Sequence, residues 1–212
     1  MAWVLFGTAI GACGVSWSDA GLRALQLPEE CEDATRAKLL VRSGAGGPMA
    51  TAESSPGWVK EAIALVSEHL AGKPHDLAGV PLDLAGHTPF VTKVLRAAQA
   101  IPAGRTTTYG ELARTVGSPG ASRAVGRVMA TNPWPLIVPC HRVVAASGAT
   151  GGFSAYGGLA TKERILQIEG GTLLTGDAAK QIALFDPGAS SDPHRLRKPS
   201  RNGRSSASRN VG

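Results

Sequence analysis

A thiol stands beside an imidazole and a guanidinium in Pro139-Cys140-His141-Arg142. Cysteine is a useful nucleophile only as thiolate, and a neighbouring imidazole and cation are the usual means of favouring that form. The flanking residues suit a fixed nucleophile. The apolar runs at 136–138 and 143–144 are expected to be buried, and the bend between them is stiffened by Pro139. Spacing alone also admits an ordinary core cysteine. A cysteine-protease reading is weaker, because in those enzymes the base comes from a distant segment.

The elements that must hold this segment are read from periodicity and caps. Thr108-Tyr109-Gly110-Glu111 has the pattern of a capping box and predicts a helix start. Leu112, Ala113 and Val116 give that helix an apolar face, 117–120 breaks it, and 121–131 resumes with Ala124, Val125, Val128 and Met129. A helix, short turn and helix is a common DNA-binding unit. Arg123 and Arg127 fall four apart on the second helix and share a face, but surface arginines on paired helices are weak evidence by themselves. A further helix is expected over 89–100, with Phe90, Val94, Leu95 and Ala98 on one stripe.

Upstream, residues 11–27 read as two short strands around Ser18-Asp19-Ala20-Gly21, and 58–70 shows helical spacing through Val59, Ile63, Val66 and Leu70. Residues 44–57, rich in Gly, Ala, Ser and Pro, read as a long loop. The expected organisation is a small α/β amino-terminal domain over 1–80 and a mainly helical carboxy-terminal domain over 86–170 containing the helix-turn-helix, α+β overall. A short extension over 171–185 and a disordered basic tail over 186–212 follow, the tail because Ser, Arg, Pro and Gly displace the apolar residues there.

Charge supports a polyanionic partner for the second half. Residues 1–79 carry six basic and nine acidic side chains, whereas 86–170 carry nine basic and three acidic, and 186–212 six basic and two acidic. No apolar run reaches the roughly 20 residues that cross a bilayer. The apolar start, with Ile10-Gly11-Ala12-Cys13, looks like a processing site, but the first basic residue is Arg23, so export is not expected. Cys13, Cys31 and Cys140 form no CxxC pair, which suits a reducing cytoplasm. With His69, His75 and His87 they show no zinc spacing and read as buried thiols and surface imidazoles; no metal is expected.

Taken together, Pro139-Cys140-His141-Arg142-Val143, Ile101-Pro102-Ala103-Gly104, Thr108 to Glu111, Arg123-Ala124-Val125-Gly126, Asn132-Pro133, Gly151-Gly152-Phe153-Ser154, Lys162 and Glu169-Gly170 resemble the O(6)-alkylguanine-DNA alkyltransferases. The stretch 11–29 also resembles the family's amino-terminal domain. The resemblance implies irreversible transfer of an alkyl group from O(6)-methylguanine in double-stranded DNA, with O(4)-methylthymine a further candidate substrate, to Cys140. It implies a monomer that works once and without a cofactor. By the same resemblance His141 is the base that reaches Cys140 through a water, and Glu169 the carboxylate that orients it. Asn132 braces the turn before Cys140, while Tyr109 and Lys162 stabilise the departing guanine.

Arg123 matches an arginine that fills the gap left by the flipped nucleotide, with small neighbours Ala121, Ser122 and Ala124 permitting close approach to the minor groove. Val143, Val144, 147–150 and the loop with Gly151, Gly152, Phe153 and Ser154 would wall the pocket. Tyr156 departs from the proline found in many bacterial relatives, which leaves the tolerated alkyl size open. The rival reading is a non-catalytic, alkyltransferase-like protein, whose members carry tryptophan where this chain has Cys140. A plain helix-turn-helix regulator would leave Cys140, His141 and Glu169 unexplained.

Overall fold

The computed structural model describes residues 1–44, 46–51, 53–146 and 156–170. Three strands, β1 (Ala2–Thr8), β2 (Gly11–Ser18) and β3 (Gly21–Gln26), form an antiparallel sheet in the order β1-β2-β3. Val4 pairs with Val15 and Val15 with Leu25, which places these side chains on one buried face. β2 and β3 follow the expected hairpin. The apolar start is a third strand: β1 pairs along its whole length with β2, joined to it through Ala9 and Ile10.

Two helices complete this half, α1 (Glu32–Ser43) and α2 (Gly57–Leu70). α1 has no counterpart in the sequence reading, since it buries only Thr35, Leu39 and Ser43 and so carries almost no apolar stripe. Its acidic first turn, Glu32 and Asp33, and basic last turn, Arg42, favour the helix through its dipole instead. Segment 77–83 then runs beside β3: the Leu22 amide donates to Pro81 O at 2.9 Å and the Asp83 amide to Leu22 O at 2.8 Å. Gly21, at φ +144°, makes that approach possible. A Cβ there would lie 2.8 Å from the Pro81 and Leu82 backbone.

The second half opens with α3 (Pro89–Gln99), capped by Thr88 with Pro89 in its first turn. α4 (Tyr109–Thr115) begins with the expected capping box: the Glu111 amide donates to Thr108 Oγ1 at 3.1 Å, and the Thr108 amide to Glu111 Oε2 at 2.8 Å. After residues 116–121, α5 (Ser122–Ala130) packs against α3 and α4 through Val125, Val128 and Met129. Two elements too short for periodicity to reveal, β4 (Thr107–Thr108) and β5 (Val143–Val144), pair in parallel and anchor the chain after Cys140. α6 (Leu159–Ile168) closes the described fold.

One hydrophobic cluster runs from Val4 and Leu25 through Val59 and Val66 to Leu95, Val125, Trp134 and Ile165, so the two halves share a core. Polar bonds cross with it. The Trp134 indole donates to Leu22 O at 2.8 Å, and the Leu25 amide to Pro133 O at 2.9 Å. Among the described residues no helix is long and apolar enough to cross a membrane.

Candidate active site

Cys140 begins a single 3-10 turn, Cys140–Arg142, at the end of a stretch that doubles back on itself. Asn132 holds the stretch together: its Nδ2 donates to Val138 O at 2.7 Å, and its Oδ1 accepts from the Trp134 amide at 3.0 Å. Trp134, Leu136, Ile137 and Val138 are buried. Leu136 takes φ +72°, a left-handed conformation that costs a side-chain-bearing residue roughly 1–2 kcal/mol and persists only where packing over-determines it. The result is a rigid approach to Cys140, a residue that is only partly buried. The sequence-expected burial of 136–138 and 143–144 is observed.

Behind Cys140 lies a buried ionic cluster. His141 Nε2 stands 2.9 Å from Glu169 Oε1. Arg142 grips the same carboxylate twice, Nη2 donating to Oε1 at 2.7 Å and Nε to Oε2 at 3.0 Å, while its Nη1 donates to Ile101 O. A third donor comes from the other half of the chain: His69 Nε2 is 2.9 Å from Glu169 Oε1. Burial alone would raise the Glu169 pKa, but hydrogen bonds from His141, His69 and Arg142 outweigh it and hold the group well below the usual carboxylate range. Glu169 is therefore an anion.

An ionised Glu169 can only accept, so His141 carries its proton on Nε2 and leaves Nδ1 as a lone pair. That Nδ1 is buried and has no hydrogen-bond partner among the described residues. Burial pulls the His141 pKa below the ordinary imidazole value, against the opposing pull of Glu169. Burial likewise pushes the Cys140 thiol up, against a hydrogen bond from the Asn132 side chain and the charges of Lys162 and Arg42. The resting pair is a neutral thiol and a neutral base.

Arg142 differs in one respect from its sequence reading as a cation beside the thiolate. Its guanidinium is committed to Glu169 and Ile101 O. The charges that favour the thiolate come from Lys162 and from Arg42 at the end of α1, whose Nη1 also donates to Asn132 O at 3.4 Å. Lys162 is fully buried on α6 and donates from Nζ to Val143 O at 3.1 Å; desolvation lowers its pKa and the Cys140 charge opposes that shift. Tyr109, at the start of α4, has its pKa raised by burial and by the Cys140 charge. Tyr109 from α4, Asn132 and His141 from the stretch that carries Cys140, and Lys162 and Glu169 from α6 and its end thus come together around Cys140 from three stretches of chain.

Other sequence-predicted residues lie further out. Arg123 and Arg127 are exposed on α5 and their side chains make no hydrogen bond or ion pair among the described residues, with Ala121, Ser122 and Ala124 partly exposed around them. Val143 and Val144 are buried in β5. Gly151, Gly152, Phe153 and Ser154, with 147–150, lie outside the described residues, as do the 171–185 extension and the 186–212 tail. Tyr156 is exposed. His69 corrects the surface-imidazole reading: it is fully buried, whereas Cys31, read as a buried thiol, is exposed. No periodic signal could have paired His69 with Glu169 across 100 residues.

Residues 89–171 match the model of the 6-O-methylguanine DNA methyltransferase, DNA binding domain family. A methylated-DNA-protein-cysteine methyltransferase of Mycobacterium leprae is 41% identical over 139 residues, 63% of this chain and 79% of the relative. The protein of the same description from Mycobacterium bovis is 40% identical over 131 residues, 62% of this chain and 74% of the relative. Among solved structures, Mycobacterium tuberculosis OGT in complex with DNA superposes with a TM-score of 0.62 at 31% identity, covering 80% of this chain and 92% of that one. By the identity and extent of these matches, the chain belongs to the methylated-DNA-protein-cysteine methyltransferase family.

Proposed function

We propose that Cys140 is the acceptor in direct, irreversible transfer of the alkyl group from O(6)-methylguanine in double-stranded DNA. The observation that carries this reading is the buried His141-Glu169-Arg142 cluster directly behind a partly exposed Cys140, with one lone pair of His141 left unpartnered. In the reaction the thiol proton passes through a water to His141 Nδ1, and the sulfur attacks the alkyl carbon. A carbon-sulfur bond forms, the carbon-oxygen bond breaks, and its electron pair is left on the guanine 6-oxygen. Tyr109 and Lys162 stabilise that charge, and Glu169 stabilises the imidazolium.

The thiolate cannot reach a guanine oxygen inside the base stack, so the nucleotide must be flipped. In our reading α4 and α5 act as the helix-turn-helix, Arg123 fills the vacated space, and Arg127 meets the backbone. The protein acts as a monomer without metal or cofactor. The amino-terminal domain spans 1–80 and the alkyltransferase domain 86–170, while the tail over 186–212 adds sequence-independent attraction to phosphate. A non-catalytic, alkyltransferase-like role is disfavoured by Cys140 itself. Incubation with duplex DNA carrying a labelled O(6)-methylguanine tests the proposal: label should move to protein, and its retention on DNA would refute it.

Two further outcomes are expected. Arg123→Ala should slow repair of the duplex by about 10- to 100-fold, the loss of a few kcal/mol spent on unstacking, while leaving reaction with free O(6)-methylguanine unchanged. Equal losses in single-turnover assays on both substrates would sink the assignment. The single-turnover rate on the free base should also be flat through neutral pH and fall only as His141 takes up a proton. Because burial lowers that pKa, the acid limb should lie below the ordinary imidazole value of 6.5. A limb at or above that value would show that the base is not this buried imidazole.

A further inference from the structure

His69 lies in the last turn of α2 in the amino-terminal half, yet its ring is fully buried against the ionic cluster of the other half. Both of its nitrogens are engaged. The His75 amide donates to His69 Nδ1 at 3.1 Å, so Nδ1 must present a lone pair, and Nε2 is then the protonated nitrogen that faces Glu169 Oε1 at 2.9 Å. The tautomer is thus set by the backbone of the turn that follows α2. Glu169 Oε1 in consequence accepts from three directions, His141 and Arg142 on the Cys140 turn and His69 from α2.

We infer that His69 is a positioning residue for the transfer reaction, acting through Glu169 to fix the orientation of His141. Arg142 fixes the carboxylate in the plane of its own guanidinium but leaves Oε1 shared with His141. The His69 N–H supplies an independent direction, so Oε1 cannot swing with its two chain neighbours. His141, held at Nε2 by that oxygen, then keeps Nδ1 turned toward the position from which it receives the Cys140 proton. The amino-terminal half is by this route part of the proton-transfer apparatus as well as of the core. Outer partners of this kind commonly change activity by roughly 10- to 100-fold when lost. The inference rests on the proposed roles of Cys140, His141 and Glu169.

Two substitutions separate the two nitrogens. In His69→Gln the amide nitrogen lies near the former Nε2 and can still donate to Glu169. In His69→Asn the shorter side chain can accept from the His75 amide but cannot reach Glu169. Single-turnover rates on the free base and on duplex DNA should fall about tenfold for His69→Asn, equally on both substrates, with DNA affinity unchanged. His69→Gln should stay within about threefold of the parent. A carboxylate with one donor fewer is a stronger acceptor for the His141 proton, so the acid limb of the rate profile should move to higher pH in His69→Asn and stay in place in His69→Gln.

Equal slowing in both variants, or an unmoved limb in His69→Asn, would reduce His69 to a packing residue and overturn the inference. Full activity in His69→Asn would do the same. Glu169→Gln measured alongside distinguishes the levels: if it too is fully active, the reading of the whole cluster fails, and if it alone is slow, only the role of His69 does.

Discussion

Cys140→Ser should bind O(6)-methylguanine DNA as the parent protein does and transfer nothing measurable, a loss of at least about 10³-fold in single-turnover rate. The hydroxyl fits the space and can keep the contact to Asn132, so stability should change by less than about 1 kcal/mol. What is lost is the nucleophile, since no side chain here could ionise a serine at neutral pH. The parent should accept one alkyl group per chain and then stop. The thioether it forms has no good leaving group, and neither His141 nor water can hydrolyse it. Intact mass spectrometry should show a single added methylene mass on the peptide containing Cys140. Cys31 is a demanding internal control because it is exposed. Cys13, buried in the sheet, has its pKa pushed up to about 12. Label on either of these, or a second round of transfer, would refute the proposed chemistry.

The sequence carried the parts of this fold whose signals are local. The capping box at Thr108 and Glu111, the stripes of α2 and α3 and the β2-β3 hairpin are each written in one short continuous stretch, and each is present. α1 was illegible because its stability derives from end charges and from three buried positions rather than from an apolar face. β1 was not read as a strand because its nearly continuous apolar run lacks the alternation of a half-buried strand. At the site, Cys140, His141 and Arg142 are contiguous and conspicuous, but what Arg142 does depends on where Glu169 lies, which only the folded chain decides. His69 and Arg42 are further cases. Each reaches the site from the amino-terminal half through a single side chain, and neither belongs to a spaced motif.

Glu169→Gln should cost both rate and stability, because the carboxylate is the shared acceptor of His141, His69 and Arg142. Glutamine keeps the shape but turns one oxygen into a donor. If the new NH2 faces Arg142 Nε, it meets a donor; if it faces His69, His141 and Arg142 Nη2, it meets three. Arg142, almost fully buried, is left without its counter-charge, and breaking a buried pair in this way costs about 3–5 kcal/mol. Transfer should slow by about 10²- to 10³-fold, since the imidazolium formed at His141 loses its anion. The factor should be the same on duplex DNA and on the free base, unlike that for Arg123→Ala. Stability provides an independent reading. Glu169 has a depressed pKa in the folded state, so its contribution is complete above the unfolded carboxyl value of about 4.3 and declines as pH falls below it. Urea midpoints of the parent should therefore fall more steeply than those of Glu169→Gln below about pH 4.3, and the two should converge in acid. Parallel curves through that range, or a rate within about twofold of the parent, would show that the anion at Glu169 neither holds the cluster together nor drives the base.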